Sequence, residues 1–118
     1  MGTPFEELSE LDKLIHEPAR LAILTALSTA ESIDFMFLQR ITGLNKGNLS
    51  IHLSKLEAAN LVRIDKEFVD RKPRTEVRLT EQGQKGLELY WMELDRMRED
   101  ARKWKPSALR PKASSGSS

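Results

Sequence analysis

Apolar positions along this chain fall into helical and strand-like registers that alternate in a definite order. Phe5, Leu8, Leu11, Leu14 and Ile15 recur at helical spacing, with Glu6, Glu7 and Glu10 placed to complement the positive end of a helix dipole. Glu17-Pro18 interrupts that run, because proline disfavours helical geometry in the residue before it and suits the first turn of a new helix. The spacing predicts a second helix from Pro18 to Ser28, with Leu21, Ile23, Leu24 and Leu27 on its apolar side. Ser32-Ile33 reads as a very short strand, and Asp34 as the N-cap of a helix over Phe35 to Thr42 that Gly43 ends. Asn45 can then cap a helix from Lys46 to Ala59, closed by Asn60, a residue tolerant of the left-handed conformation. So short a connection between two short helices is that of a helix-turn-helix.

Strand spacing follows. Val62, Ile64 and Phe68 share one face of a strand over Leu61 to Val69, and Val77 and Leu79 one face of a strand over Thr75 to Leu79. The two form a hairpin whose expected tip, Asp70 to Arg74, carries Arg71, Lys72 and Arg74 around a stiffening Pro73. Thr80 is placed to cap a final helix reaching Trp104, despite Gly83 and Gly86, which each lower helix propensity by about 1 kcal/mol relative to alanine. Leu87, Tyr90, Leu94, Met97, Ala101 and Trp104 alternate steps of three and four along it, a heptad seam on a helix of about 36 Å if residues 81–104 are all helical. One small domain does not easily cover so long a stripe. The expected interface is therefore between two copies, built from Leu87, Tyr90, Trp91, Leu94, Met97 and Trp104 with Phe5, Leu8 and Leu11 of the first helix.

Composition narrows the function classes. The chain has 118 residues, 39% hydrophobic and 31% charged, the balance of a soluble globular protein. Residues 1–104 are expected to form one domain, and 105–118, with two prolines, repeated serines and no acid, a flexible basic tail. Cysteine is absent, which removes disulfides, thiolate metal sites and cysteine nucleophiles together. The two histidines, His16 and His52, lie apart without carboxylates at ligand spacing, and neither a glycine-rich phosphate loop nor a nucleophile motif occurs. No cofactor, metal or enzymatic activity is expected. No stretch approaches the roughly 20 apolar residues of a membrane span, and a cytoplasmic location is expected. The net charge of +1 hides an uneven distribution: residues 1–45 sum to −4 and residues 46–118 to +5.

The basic half begins at the second helix of the helix-turn-helix. Leu49, Leu53 and Leu56 share its inner face, with His52 at the edge as a packing or anchoring residue. Asn45, Lys46, Gly47, Asn48, Ser50, Ile51, Ser54 and Lys55 lie elsewhere, a small, polar and mildly basic surface suited to a groove. Asn48 can bond an adenine edge and Ile51 can touch a thymine methyl. Arg71, Lys72 and Arg74 at the hairpin tip suit phosphates or a minor groove, and Arg63 and Arg78 extend the basic strip.

Leu44-Asn45-Lys46-Gly47-Asn48-Leu49-Ser50, His52-Leu53, Lys55-Leu56-Glu57, Phe68, Arg71-Lys72-Pro73-Arg74-Thr75 and Arg78-Leu79-Thr80-Glu81 together resemble the small winged-helix transcriptional regulators of bacteria and archaea. They are similar in build to MarR-type and ArsR-type repressors, over about residues 10 to 90. Asn60 stands where glycine usually follows the recognition helix, and Asp70 brings a negative charge near the expected phosphates. The fold class this implies is mainly α with a small β-hairpin (α+β): a winged helix-turn-helix with a long C-terminal dimerisation helix. The implied function is a homodimeric, sequence-specific regulator of double-stranded DNA on a roughly palindromic operator. A small-molecule effector could enter between the dimer helices and the core, though no residue cluster identifies its chemistry. The alternative is a winged-helix module that binds protein. A single-stranded nucleic-acid binder is disfavoured, because the surface lacks aromatic stacking platforms.

Overall fold

Side-chain caps set the helix boundaries. In the computed structural model, which describes residues 9–104, α1 (Glu10–Ile15) begins where Ser9 accepts from the Asp12 amide, and α2 (Pro18–Leu27) where Glu17 accepts from that of Arg20. The Ser9 cap starts α1 later than the spacing from Phe5 suggests; Phe5 and Leu8, like the tail at 105–118, lie outside the described residues. Asp34 closes the two-residue β1 (Ile33–Asp34) and caps α3 (Phe35–Thr42) by accepting from the Met36 and Phe37 amides. Gly43, at φ 74°, then turns the chain left-handed, and Asn45 caps α4 (Lys46–Ala58) through the Asn48 amide at 2.8 Å. Asn60, at φ 63°, makes the corresponding turn after α4.

β2 (Val62–Val69) and β3 (Lys72–Leu79) form an antiparallel ribbon, and β1 pairs with β3, giving a sheet of order β1-β3-β2. β3 starts three residues earlier than expected, so the turn is Asp70-Arg71 alone and Lys72, Pro73 and Arg74 belong to the strand. Both turn residues have positive φ, 51° and 66°, as a tight two-residue connection matching the strand twist requires. Pro73 pairs with Phe68 where β3 has a neighbour on one side only, so its missing N–H breaks no central ladder.

The core lies where the helices meet the base of this sheet: Ile15, Ile23, Leu24, Leu38, Leu49, Leu56 and Val77 are wholly buried. α5 (Glu81–Lys103) crosses it and runs on for a total of 23 residues, about 34 Å. Leu87 and Tyr90, expected in an interface between copies, are instead buried inside this chain's own core, because α1 and α2 pack against the first half of α5. Farther along, Arg96 pairs with Glu93 and, at 2.7 Å, with Asp100 on the helix surface. Among the described residues no helix is long and apolar enough to cross a membrane.

Candidate nucleic-acid interface

Besides its buried leucines, α4 is tied to the preceding helices through one arginine. Arg20 donates from Nε to the Leu14 carbonyl at 2.6 Å and approaches His52 Nδ1 with Nη1 at 3.4 Å, joining the end of α1, the start of α2 and the middle of α4. The Glu17 carboxyl, bonded to the Arg20 amide and near His52 and Arg20, is held below its usual range. His52 is thus an anchor, as its position at the edge of the apolar stripe suggests. With Leu49, Leu53 and Leu56 buried, the remaining surface of α4 is committed outward: Lys46, Gly47, Asn48, Ser50, Ile51, Ser54 and Lys55 are all exposed.

The pleat of the ribbon gives it two chemically different faces. The register pairs Ile64 with Val77, Lys66 with Thr75 and Phe68 with Pro73. Ile64, Lys66 and Thr75 line a cleft of about 620 Å³ whose opposite wall is α4, contributing Lys46, Ser50, Leu53, Ser54 and Glu57. The other face is internally neutralised. Asp65 pairs with Arg63 at 3.1 Å and Arg78 at 3.4 Å, while Arg74 pairs with Glu76 at 3.3 Å and Asp34 at 3.5 Å.

The sequence candidates therefore separate. Lys46, Ser50 and Ser54 share the cleft, while Asn45, Gly47, Asn48, Ile51 and Lys55 lie on the exposed surface of α4 or its cap. Arg71 and Lys72 are exposed at the tip. Arg74, Arg63 and Arg78 lie on the ion-paired face, turned from α4. Arg74 also ties the wing to the N-cap of α3 through Asp34, which no spacing in the chain indicates. Lys66 is the cation that sequence reading missed. Its signal was present, since it alternates with Ile64 and Phe68 on the face already read as inward. Among the described residues no group of His, Asp or Glu is arranged to hold a metal ion.

A family model described as a winged helix DNA-binding domain matches residues 19–97. An uncharacterised protein of Methanocaldococcus jannaschii is 29% identical over 82 residues, covering 70% of this chain and 89% of its own. Among solved structures, a transcriptional regulator homologue from Pyrococcus horikoshii is 31% identical with a TM-score of 0.67, over 70% of this chain and 82% of that one. A MarR-family regulator from Silicibacter pomeroyi shares the fold, at 23% identity and a TM-score of 0.58 over 91% of this chain and 68% of that one.

Proposed function

The chain belongs to the winged helix DNA-binding domain family, and we propose that it regulates transcription as a homodimer that reads a roughly palindromic duplex operator. One observation supports the reading: polar residues of α4 and of the cleft-side face of the wing line one open cleft, with Lys46 and Lys66 on its two walls. In this reading Asn48, Ser50, Ile51 and Ser54 meet base edges in the major groove. Lys46, Lys55, Lys66, Arg71 and Lys72 meet phosphates, and Arg74 positions the wing through its ion pairs. Exposed Trp91, and Leu89 and Met92 on another side of α5, supply apolar area for contact between copies.

Selection of bound sequences from a random duplex library, followed by salt titration on the selected duplex, tests this. Neutralising about six to ten phosphates lowers affinity by about 10³ to 10⁵ between 50 and 200 mM salt. Lys66→Ala is expected to weaken binding to all duplexes and to reduce the salt slope by about 1 per copy. Selection that enriches no sequence, with affinity insensitive to salt, would remove the DNA reading. That result favours the alternative of a protein-binding module, for which exposed Met36, Phe37 and Ile41 on α3 offer a surface.

A further inference from the structure

The cleft-side face of the wing changes character along its length. At the base Ile64 and Val77 pack inward, Lys66 and Thr75 follow at the cleft, and Phe68 and Pro73 come last, next to the turn. Phe68 is 77% exposed, the largest exposure among the apolar side chains described. An aromatic ring at the end of a ribbon contributes nothing to the core and costs solubility, so its position asks for an occupant. Its surroundings identify one. Lys66 precedes it on the same face and Arg71 follows at the turn, while Lys72 starts β3 on the opposite face and the exposed acids Glu67 and Asp70 alternate with these cations, so the ring and Pro73 form an apolar point flanked by a net positive charge. A protein groove or a second copy of the tip would have to accept those cations together with the ring. A phosphate-walled groove with stacked bases at its floor fits both.

Resting on the DNA-binding reading above, we propose that the wing tip enters the minor groove and that Phe68, backed by Pro73, wedges into a base step and bends the duplex. The dimensions agree. Residues two apart on a strand are about 7 Å apart, and the minor groove is about 7.5 Å deep, so with Lys66 on the phosphate rim Phe68 reaches the base edges. Apolar wedges of this type partly unstack one step and kink DNA toward the major groove. The bend turns the duplex toward α4 while the two-residue turn keeps Arg71 and Lys72 beside the flanking phosphates. Steps that unstack easily, TA and CA/TG, are then favoured under the tip without any hydrogen bond to a base.

The test uses the full chain on a selected duplex carrying end labels for energy transfer and 2-aminopurine at successive steps beneath the wing. The wild type is expected to bend the duplex by at least about 20° and to raise 2-aminopurine emission at one step. Phe68→Ala, which removes an exposed side chain and leaves the core intact, is expected to lose most of the bend and the emission while keeping the salt slope. Phe68→Leu is expected to retain both signals. Wild-type binding without bend or unstacking overturns the wedge and leaves DNA binding standing, as does a Phe68→Ala variant that bends like the wild type. A fall in the protein's mass on Phe68→Ala overturns it too, by assigning the tip to contact between copies. Failure of the wild type to bind any duplex removes the DNA reading itself.

Discussion

His16 and Tyr90 join segments that are far apart in sequence: His16 Nδ1 lies 2.6 Å from the Tyr90 hydroxyl, across the junction of α1 and α2 to α5. Burial, with a smaller contribution from the Asp12 charge, raises the phenol above its ordinary value of 10.0, so the folded chain holds it neutral. The sign follows from linkage. An unfolded chain ionises this phenol first, so its contribution to stability is complete below about pH 10 and declines as pH rises beyond it. Tyr90→Phe keeps the ring and removes the bond, and is expected to cost about 1 kcal/mol in urea unfolding at neutral pH. The same variant should flatten the loss of stability above about pH 10, and an unchanged alkaline profile would remove Tyr90 as its cause. At this scale the sequence was partly legible. His16 at a helix end and His52 as an anchor follow from Pro18 and from the Leu49, Leu53, Leu56 stripe, whereas their partners Tyr90 and Arg20 depend on long-range packing that no local period encodes.

Capped elements were the most legible, because Asp34, Asn45 and Thr80 each declare a start locally. The wing is longer than its apolar alternation indicates: Pro73, expected to stiffen the tip, lies within β3 at a position with one neighbour, where a missing donor costs no central ladder bond. At Leu87 and Tyr90 the α5 stripe serves this chain's own core, since a heptad pattern records that a face is buried without recording by which chain. Gly83 and Gly86 separate two meanings that composition gives alike. A Cβ on Gly83 would run into the Leu61 carbonyl oxygen and come within 2.8 Å of Leu79 Cδ1, where backbone must move. On Gly86 it would meet only the Leu11 and Ile15 side chains, at 3.2 and 3.7 Å. Gly83→Ala is therefore expected to cost about 1–3 kcal/mol from overpacking. Gly86→Ala is expected to be neutral or stabilising by up to about 1 kcal/mol through helix propensity. Thermal melts of the pair check this, and equal effects would refute the distinction.

At the scale of the whole molecule, the long α5 leaves Leu89, Trp91 and Met92 between 44% and 63% exposed, on more than one side of the helix. If α5 joins two copies, a charge at its partly buried seam should separate them. Leu94→Glu combined with Trp91→Glu is expected to halve the mass in light scattering, and undiminished mass would exclude this part of α5 from the interface. The separated chain should still bind duplex, but with the smaller salt slope of a single reader. The sheet carries a last consequence. β1 contributes only the pairs Ile33 with Val77 and Asp34 with Glu76, so from Lys66 to the Asp70-Arg71 turn the wing is a ribbon with two open edges. α4 is fixed by Arg20 and its three buried leucines, whereas the outer wing is held by the pairing of its two strands alone. If the wing grips a duplex as proposed, its outer pairs are expected to gain protection from amide hydrogen exchange on binding while those of α4 change little, and equal gains in the two would refute the difference.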